Sequence, residues 1–367
     1  MNIRSYWFLV LMLMGQQVFA DGKAIEHAPI GVMGDHYHNK GEWMFSIRHM
    51  VMNMRDNLKG SAKLSDEQII EMPNPYAMDG MSTKLSVVPK DMDMKMTMLG
   101  VMYAPSDRIT LMSMVMFEDK EMTLTTYQGQ MPMSMSNDNA MDQMGMPAMA
   151  TRSAVGVFTT DSSDLSSISL SALIRLSANE KTRWHAQIGL ATSLGDNQNQ
   201  DEVLTPMGMT KQMILPYGMQ SGDDSTSLIT AITGVRTNNK WVYGGQIRRD
   251  TVLSDKEWQF GDKTMVNAWG QRSLSDNVAL SLRLSYSDQG SIDGRNAMIM
   301  APVQTANPIN YGGSVLSMSL GLNLAFQLFP GETDRVGFEL TKPINEDVNG
   351  PQMGNNWAFN FGYQKSF

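Results

Sequence analysis

Residues 355–367 read NNWAFNFGYQKSF, and aromatic side chains recur there at every second position. The aromatic positions are Trp357, Phe359, Phe361, Tyr363 and finally Phe367. A period of two places side chains on one face of a β-strand. The end of the chain therefore predicts a strand with one aromatic face, which packs either on a protein core or against lipid.

The same alternation of apolar and polar residues recurs along most of the chain. It is clearest in SVLSMSLGLNLAFQLF (314–329), where leucines, one methionine and one phenylalanine occupy alternate positions. VALSLRLSY (278–286) and ISLSALIRLS (168–177) repeat the pattern. A soluble β-sandwich would also alternate, so this pattern alone does not separate a core-facing from a lipid-facing sheet.

The C-terminal strand favours a sheet whose apolar face contacts lipid. A last strand that ends in phenylalanine and carries alternate aromatics resembles the closing strand of bacterial outer-membrane barrels, where it is also read by the insertion machinery. The resemblance implies that Phe367 contacts that machinery. The alternative is an aromatic edge strand of a secreted sandwich.

Connection lengths predict the number of strands. Short links at 104–108, 177–182, 237–240, 273–277 and 330–335 alternate with long polar stretches near 55–90, 128–165, 194–223, 253–263, 288–313 and 343–354. Five short and six long connections require twelve strands, with both chain ends on the periplasmic side. We predict an all-β, transmembrane, antiparallel up-and-down barrel of about twelve strands over residues 41–367, because only a closed sheet satisfies its backbone within hydrocarbon.

Composition and the N-terminus define the compartment. The 367 residues include no cysteine and 36 methionines, and the formal charge of -8 argues against nucleic acid as a partner. Residues 1–20 combine an early Arg4, a short apolar run and Ala20, which predicts a signal peptide. We expect 21–40 to be a periplasmic or lumen-inserted segment, and the protein to be a monomer surrounded by outer-membrane lipid.

Inward positions of the predicted strands are rich in polar and cationic residues, which favours a water-filled lumen. The candidates that line it most clearly are Arg48, Arg175, Arg248, Arg283 and Gln327. Other polar residues assigned to the lumen are Gln187, Gln246, Asn323, Glu339, Asn360 and Gln364.

Methionine rows form a second candidate site. In DMDMKMTMLGVMY (91–103) methionine falls at alternate positions, and the same occurs in the two neighbouring strands. Each row is predicted to face the lumen, because the opposite face carries the better lipid-facing residues. The candidate ligands are Met50, Met52, Met92, Met94, Met96, Met112 and Met114.

Two interpretations of these thioethers remain open. They are soft ligands suited to Cu(I) or Ag(I), with His36 and His38 as a first contact for Cu(II) and the methionine-rich loop at 131–149 as a further source of sulfur. They are equally suited to an adaptable lining for apolar solutes. A cofactor other than Cu(I) is not expected.

An enzyme is not expected, because no nucleophile motif accompanies His49 or His185, the histidines within the barrel. His49 falls on the lipid face in the predicted register, and a β-bulge near it would turn it away from lipid.

Three stretches carry a family resemblance: APIGVMGDHYHNKGEWMFSIRHM (28–50), MTMLGVMYAPSDRITLMSMVMF (96–117) and the aromatic C-terminus. Together they resemble a family of proteobacterial outer-membrane transporters grouped with the phenol-degradation meta-pathway outer-membrane proteins, including methionine-rich members. The resemblance implies a barrel that transports a small solute, with an apolar or aromatic compound as the first candidate and a methionine-based copper or silver protein as the alternative.

Overall fold

The computed structural model describes residues 23–78, 81–130, 152–179, 181–329 and 332–367. The predicted signal peptide (1–20) and the methionine-rich loop (131–149) lie outside the described residues.

Nearly all of the regular secondary structure in the described chain is β-strand. Its strands are β1 Trp43–Gly60, β2 Ala62–Leu64, β3 Val87–Ser106, β4 Ile109–Tyr127, β5 Ala154–Ala178, β6 Thr182–Ser193, β7 Gln200–Leu204, β8 Thr210–Ile214, β9 Thr226–Asn238, β10 Trp241–Val252, β11 Trp258–Gln259, β12 Lys263–Ser275, β13 Val278–Gln289, β14 Asp293–Gly294, β15 Gly313–Phe326 and β16 Thr333–Ser366. Helix α1 spans Asp66–Ile70, and short 3-10 helices span Ala24–Glu26, Tyr217–Met219, Gln304–Ala306 and Pro308–Asn310. Within the described ranges, no helix is long and apolar enough to cross a membrane.

Eleven of the described strands form one closed antiparallel wall. Their order is β1, β3, β4, β5, β6, β9, β10, β12, β13, β15 and β16, and β16 pairs back onto β1. The short β2 extends the sheet beside β1, while β7–β8 and β11–β14 form two small sheets. The prediction of a closed antiparallel barrel is confirmed.

Strand β16 crosses the wall twice. Its 34 residues would extend over ~110 Å if they were straight, which is far too long for one crossing. Residues 334–348 pair with β15, and residues 348–366 pair with β1. The two arms lie side by side, because the rings of Phe338 and Phe361 are 5.3 Å apart and the Tyr363 hydroxyl donates to Asp334 at 2.5 Å. Counting both arms, the wall has the twelve crossings that the connection lengths predict.

The two faces of the wall separate as the alternation predicts. On β15, Leu320 is 62% exposed and the adjacent Ser319 is 1% exposed, because the leucine points outward and the serine inward. The outward face is apolar, and aromatic residues cluster at the end of the barrel that holds the short turns, where the ring centroids of Trp43 and Tyr103 are 4.4 Å apart. An exposed apolar face of this kind is suited to lipid rather than water.

Strand β1 has no β-bulge near His49. Strand β1 pairs with β3 without a register shift from Trp43 to Arg55, so His49 keeps its outward position. Its Nδ1 lies 3.0 Å from the Thr97 hydroxyl on the neighbouring strand, which gives the imidazole a polar partner without any change of register.

Candidate functional site

Residues 23–42, which we call the inserted segment, enter the lumen from the end of the barrel that holds the short turns. The backbone amide of Ala24 donates to the carbonyl oxygen of Asp276 in the β12–β13 turn at 3.0 Å. At the other end of the segment, the Lys40 amide donates to Asp107 in the β3–β4 turn at 2.9 Å. Both ends are therefore held at the same rim, and the residues between them form a loop inside the barrel.

Inward side chains of the wall donate hydrogen bonds to the backbone of this loop. Gln246 donates to the carbonyl oxygen of Met33 at 2.8 Å, and Nε2 of His185 donates to that of Gly34 at 2.8 Å. Gln271 donates to the carbonyl oxygen of His27 at 2.7 Å. Some of the polar side chains that predicted a water-filled lumen therefore donate hydrogen bonds to the inserted segment instead.

Arg335 and Asn323 bind the same loop from β16 and β15. The Arg335 guanidinium donates to the carbonyl oxygen of Ala28 and to the Asn323 side chain. Arg335 is 1% exposed and also donates to Gln364 at 2.6 Å. A buried guanidinium with several acceptors supports one geometry of the segment, because displacement would leave a buried charge without partners.

Glycines shape the wall around the loop. Ile30 packs against Gly337 and Gly362, where an added Cβ would lie 2.9 Å and 2.7 Å from its side chain. Gly31 lies directly against the ion pair between Arg283 and Glu339, where an added Cβ would clash with both side chains. Nη2 of Arg283 and Oε1 of Glu339 are 2.5 Å apart. The segment and the wall are therefore complementary in shape as well as in hydrogen bonding.

The loop also carries a cluster of ionisable groups, His27, Asp35, His36 and His38. Ligand atoms of the first three all lie within 4.8 Å of one another, and the rings of His36 and His38 have centroids 4.9 Å apart. Burial, followed by the charge of Arg335, lowers the pKa of His27 well below its ordinary value, while burial and His36 lower the pKa of His38 to about 4. These two imidazoles are neutral at pH 7.

Asp35 remains ionised within this cluster. Burial alone would raise the pKa of its carboxyl, but the nearby His36 and Arg335 outweigh that effect and hold the pKa well below its ordinary value. Its Oδ2 also accepts a hydrogen bond from the Ala28 amide at 2.9 Å. This bond joins the part of the loop that enters the lumen to the part that returns, and we call these parts the two limbs of the loop.

A cavity of about 420 Å³ lies on the long-loop side of the lumen, and we call it the loop-side cavity. Its apolar lining consists of Met54, Met92, Met94, Met122, Met353, Phe260 and Tyr311. Lys120 supplies a cation at its wall, where it pairs with Glu118 at 3.1 Å and donates to the carbonyl oxygen of Gln220 at 2.7 Å. Burial raises the pKa of Tyr311, whose hydroxyl donates to the carbonyl oxygen of Thr305 at 2.9 Å.

The predicted methionine rows lie side by side on three strands. Directly paired positions include Met50 with Met96 and Met52 with Met94. Met92 and Met94 line the loop-side cavity. Met112 and Met114 instead line a small space with Met33 and Asp35 of the inserted segment. The structure therefore places four of the seven candidate ligands in two different environments, while Met50, Met52 and Met96 line neither space.

The predicted lumen residues occupy different surroundings. Arg48 and Arg283 are buried against the inserted segment, and the Arg175 guanidinium lies 5.2 Å from the ring centroid of Tyr37 in that segment. Arg248 pairs with Asp250 at 2.9 Å. Gln327 follows the end of β15 and lies in the turn rather than in the wall.

Two parts of the site were not identified from sequence. His27 and Asp35 are not among the ligands predicted from the sequence, which include only His36 and His38 from this part of the chain. The loop residues of the cavity, such as Phe260 and Tyr311, lie outside the alternating strands and carry no periodic pattern. The density of histidine and aspartate between 27 and 38 was the available signal for the cluster.

No protein-family model matches the sequence, and no curated protein matches it. Among solved structures, an outer membrane channel from Pseudomonas putida has a TM-score of 0.52 at 12% identity, covering 92% of this chain and 99% of that chain. A Pseudomonas aeruginosa FadL homologue gives 0.44 at 8% identity (95% and 99% covered), and the P. putida toluene transporter TodX gives 0.40 at 10% identity (90% and 90% covered). The chain thus shares its fold with the outer membrane channel from P. putida.

Proposed function

We propose that this chain is an outer-membrane channel for a small, predominantly apolar solute, which it binds in the loop-side cavity. The observation that carries the proposal is the lining of that cavity of about 420 Å³, where five methionines and two aromatic residues form the apolar part of a wall that also holds polar residues such as Gln220 and Asp223. Apolar cavities of ~150 Å³ bind benzene, so this one has room for a compound of one or two rings. Thioethers adapt to ligands of different shape.

The apolar outer face of the barrel supports the location. Long polar connections at one end and short turns at the other match the extracellular and periplasmic sides of such barrels. The loop-side cavity would then receive solute from outside the cell. The resemblance of 28–50 and 96–117 to the phenol-degradation meta-pathway group favours an aromatic solute, and membership of that group stays a prediction.

The inserted segment restricts passage from the loop-side cavity to the periplasm. Its backbone is bound from several sides by wall residues such as Arg48, His185 and Gln246. A solute that leaves the loop-side cavity must pass beside this segment or displace part of it. The proposed role is therefore a channel with a restricted lumen, rather than an open pore or an enzyme.

Uptake of radiolabelled toluene by cells that lack other aromatic channels tests the proposal. Expression of the protein should raise the rate above that of cells carrying the empty vector. Phe260→Asp, which places a charge in the cavity, should lower the gain at least tenfold, because an apolar ligand does not compensate a desolvated carboxylate. Met298→Asp is the matched control, since Met298 is 64% exposed outside the cavity. Equal uptake with and without the protein would contradict the proposal.

A second candidate function is binding of Cu(I) or Ag(I) by the methionine rows. It is favoured by the direct pairing of methionines across β1, β3 and β4, for example Met54 with Met92 and Met92 with Met122. Ag(I) titration of wild type beside the combined Met92→Leu, Met94→Leu and Met96→Leu variant distinguishes the two roles. Leucine keeps the apolar volume and removes the sulfur, so equal Ag(I) binding would exclude these positions as ligands.

A further inference from the structure

Three imidazoles and one carboxylate converge within the inserted segment, although 11 positions separate the first from the last in sequence. The ring centroids of His27 and His36 are 4.8 Å apart, and Nδ1 of His36 lies 3.0 Å from Oδ1 of Asp35. His38 extends the row, with Nδ1 3.4 Å from Oε2 of Glu42. The fold of the segment thus gathers nitrogen and oxygen donors at one place.

Several of these nitrogens are buried without a hydrogen-bond partner. Within the described ranges, Nδ1 of His27 and Nε2 of both His36 and His38 are inaccessible to solvent and make no hydrogen bond, while Nδ1 of His36 has only the Asp35 carboxylate beside it. The side chains of Asp35 and His38 are only 3% and 6% exposed. Buried polar atoms in folded proteins are normally satisfied, so three imidazole nitrogens without a hydrogen-bond partner in one cluster indicate that a further partner belongs there.

Edge-to-face packing of the rings explains only part of this arrangement. Such aromatic contacts contribute ~0.5–1.5 kcal/mol each, whereas an unsatisfied buried polar group costs ~1–3 kcal/mol. Phenylalanine or leucine would pack in the same space without that cost. A cation bound by the nitrogens satisfies several of them at once.

The surrounding charges allow a cation next to Asp35. The guanidinium groups of Arg48 and Arg335 are close, but they donate hydrogen bonds to other acceptors. Arg48 donates to the Ile30 carbonyl oxygen, and Arg335 donates to that of Ala28 and to the side chains of Asn323 and Gln364. The carboxylate of Asp35 is fixed by the Ala28 amide through Oδ2, which leaves Oδ1 on the side of His36.

We propose that His27, Asp35 and His36, with His38 as a fourth ligand, bind one first-row divalent cation, Cu²⁺ more tightly than Zn²⁺. Imidazole and carboxylate are the usual ligands of these ions in proteins, and the divalent series places copper above zinc. Ligand atoms at ~2.1 Å from an ion lie ~3.4 Å apart in a tetrahedron and up to ~4.2 Å apart across an octahedron. Small side-chain rotations bring atoms now within 4.8 Å to that spacing.

Binding at this site joins the two limbs of the inserted segment. His27 lies on the entering limb and Asp35 and His36 on the returning limb, and the two limbs are otherwise joined near here by the Ala28–Asp35 hydrogen bond. The cation therefore stabilises the segment in the lumen. The site uses nitrogen and oxygen ligands and shares no residue with the loop-side cavity. Asp35 also borders the small space lined by Met112 and Met114, but no thioether is among the proposed ligands.

The test uses the mature full-length chain in detergent, without a polyhistidine tag and after removal of metals with EDTA. Titration with Cu²⁺, followed by calorimetry and electron paramagnetic resonance, should show one equivalent per chain with superhyperfine coupling to imidazole nitrogen. Zn²⁺ should compete at higher concentration. Hydrogen–deuterium exchange of residues 24–38 should slow when Cu²⁺ is bound.

Variants assign the ligands. His27→Ala and His36→Ala should each weaken Cu²⁺ binding at least tenfold, and the pair should abolish the one-equivalent binding. His49→Ala is the matched control, because His49 lies on the outer face of β1 and should leave binding unchanged. The combined Met92→Leu, Met94→Leu and Met96→Leu variant should also bind Cu²⁺ normally.

Three results would overturn the site: no stoichiometric binding by wild type, equal binding by the His27→Ala, His36→Ala pair, or loss of binding in His49→Ala. Heat-modifiable migration on gels checks that each variant is folded. If the pair does not fold, the spectra of wild type and His49→Ala decide, because absence of imidazole coupling in both excludes the site. None of these outcomes depends on solute uptake, so the site and the channel can fail separately.

Discussion

Arg48 and Ile30 join the barrel wall to the segment inside it, since Nη1 of Arg48 donates to the Ile30 carbonyl oxygen at 2.8 Å. The same nitrogen donates to the carbonyl oxygen of Val32 at 3.0 Å. A side chain of the first wall strand thus fixes the backbone that precedes it. These hydrogen bonds fix the position of the inserted segment relative to the barrel wall. Substitutions of single residues can test how much each contact contributes.

Arg48→Leu should loosen the inserted segment. The substitution removes two hydrogen bonds from a charged donor, each worth ~1.5–3 kcal/mol when buried. We expect faster hydrogen–deuterium exchange of residues 24–35 and no loss of heat-modifiable migration. Arg249→Leu is the control, because Arg249 lies on the outer face and is largely exposed. Equal exchange in wild type and Arg48→Leu would contradict this prediction.

Gly362→Ala should displace Ile30, because the added methyl group would lie 2.7 Å from its Cδ1. Overpacking of this kind costs ~1–3 kcal/mol, and we expect it to appear as faster exchange of the inserted segment. Ile30→Ala in the same chain should restore much of the protection by making room for the methyl group. Gly245→Ala is the matched control, since the nearest atom to its added Cβ is 3.6 Å away. Failure of Ile30→Ala to compensate would exclude direct packing as the cause.

Lys120→Met should destabilise the protein more than the double variant Lys120→Met, Glu118→Gln. The single change leaves the Glu118 carboxylate unpaired beside the loop-side cavity and removes the bond to the Gln220 carbonyl oxygen. Loss of one partner of a buried ion pair costs ~3–5 kcal/mol, whereas neutralising both partners avoids the uncompensated charge. The urea midpoint measured by tryptophan fluorescence checks the order. A double variant less stable than the single one would contradict it.

Deletion of Phe367 should lower the amount of folded barrel in the membrane. Its backbone exchanges hydrogen bonds with Trp43 at 2.8 and 3.0 Å, and its ring stacks on Phe45 with centroids 5.7 Å apart, so the residue closes the wall between the first and last strands. We also expect it to be read by the insertion machinery. Heat-modifiable migration of outer-membrane fractions measures the folded amount, and Phe361→Leu is the control that keeps the terminal phenylalanine. Unchanged yield would exclude both roles.

The sequence by itself determined the wall of the barrel. Alternation, turn length and the aromatic last strand are local features, because the direction of each side chain in a strand follows from its position in the pleat. The inward direction of the methionine rows and the exposed leucines of β13 and β15 could therefore be predicted. Even His49 was placed on the correct face, and it finds a polar partner in Thr97 without a β-bulge.

The tertiary structure decided what fills the lumen. The donors that fix the inserted segment are distant in sequence, with Arg335 307 positions from Ala28 and Gln271 244 positions from His27, and no local pattern encodes those pairs. The histidine cluster has the same origin, since His27 meets Asp35 and His36 only after the segment folds back on itself inside the wall. Periodicity determines which way a side chain points, but closure of the barrel determines which side chains meet.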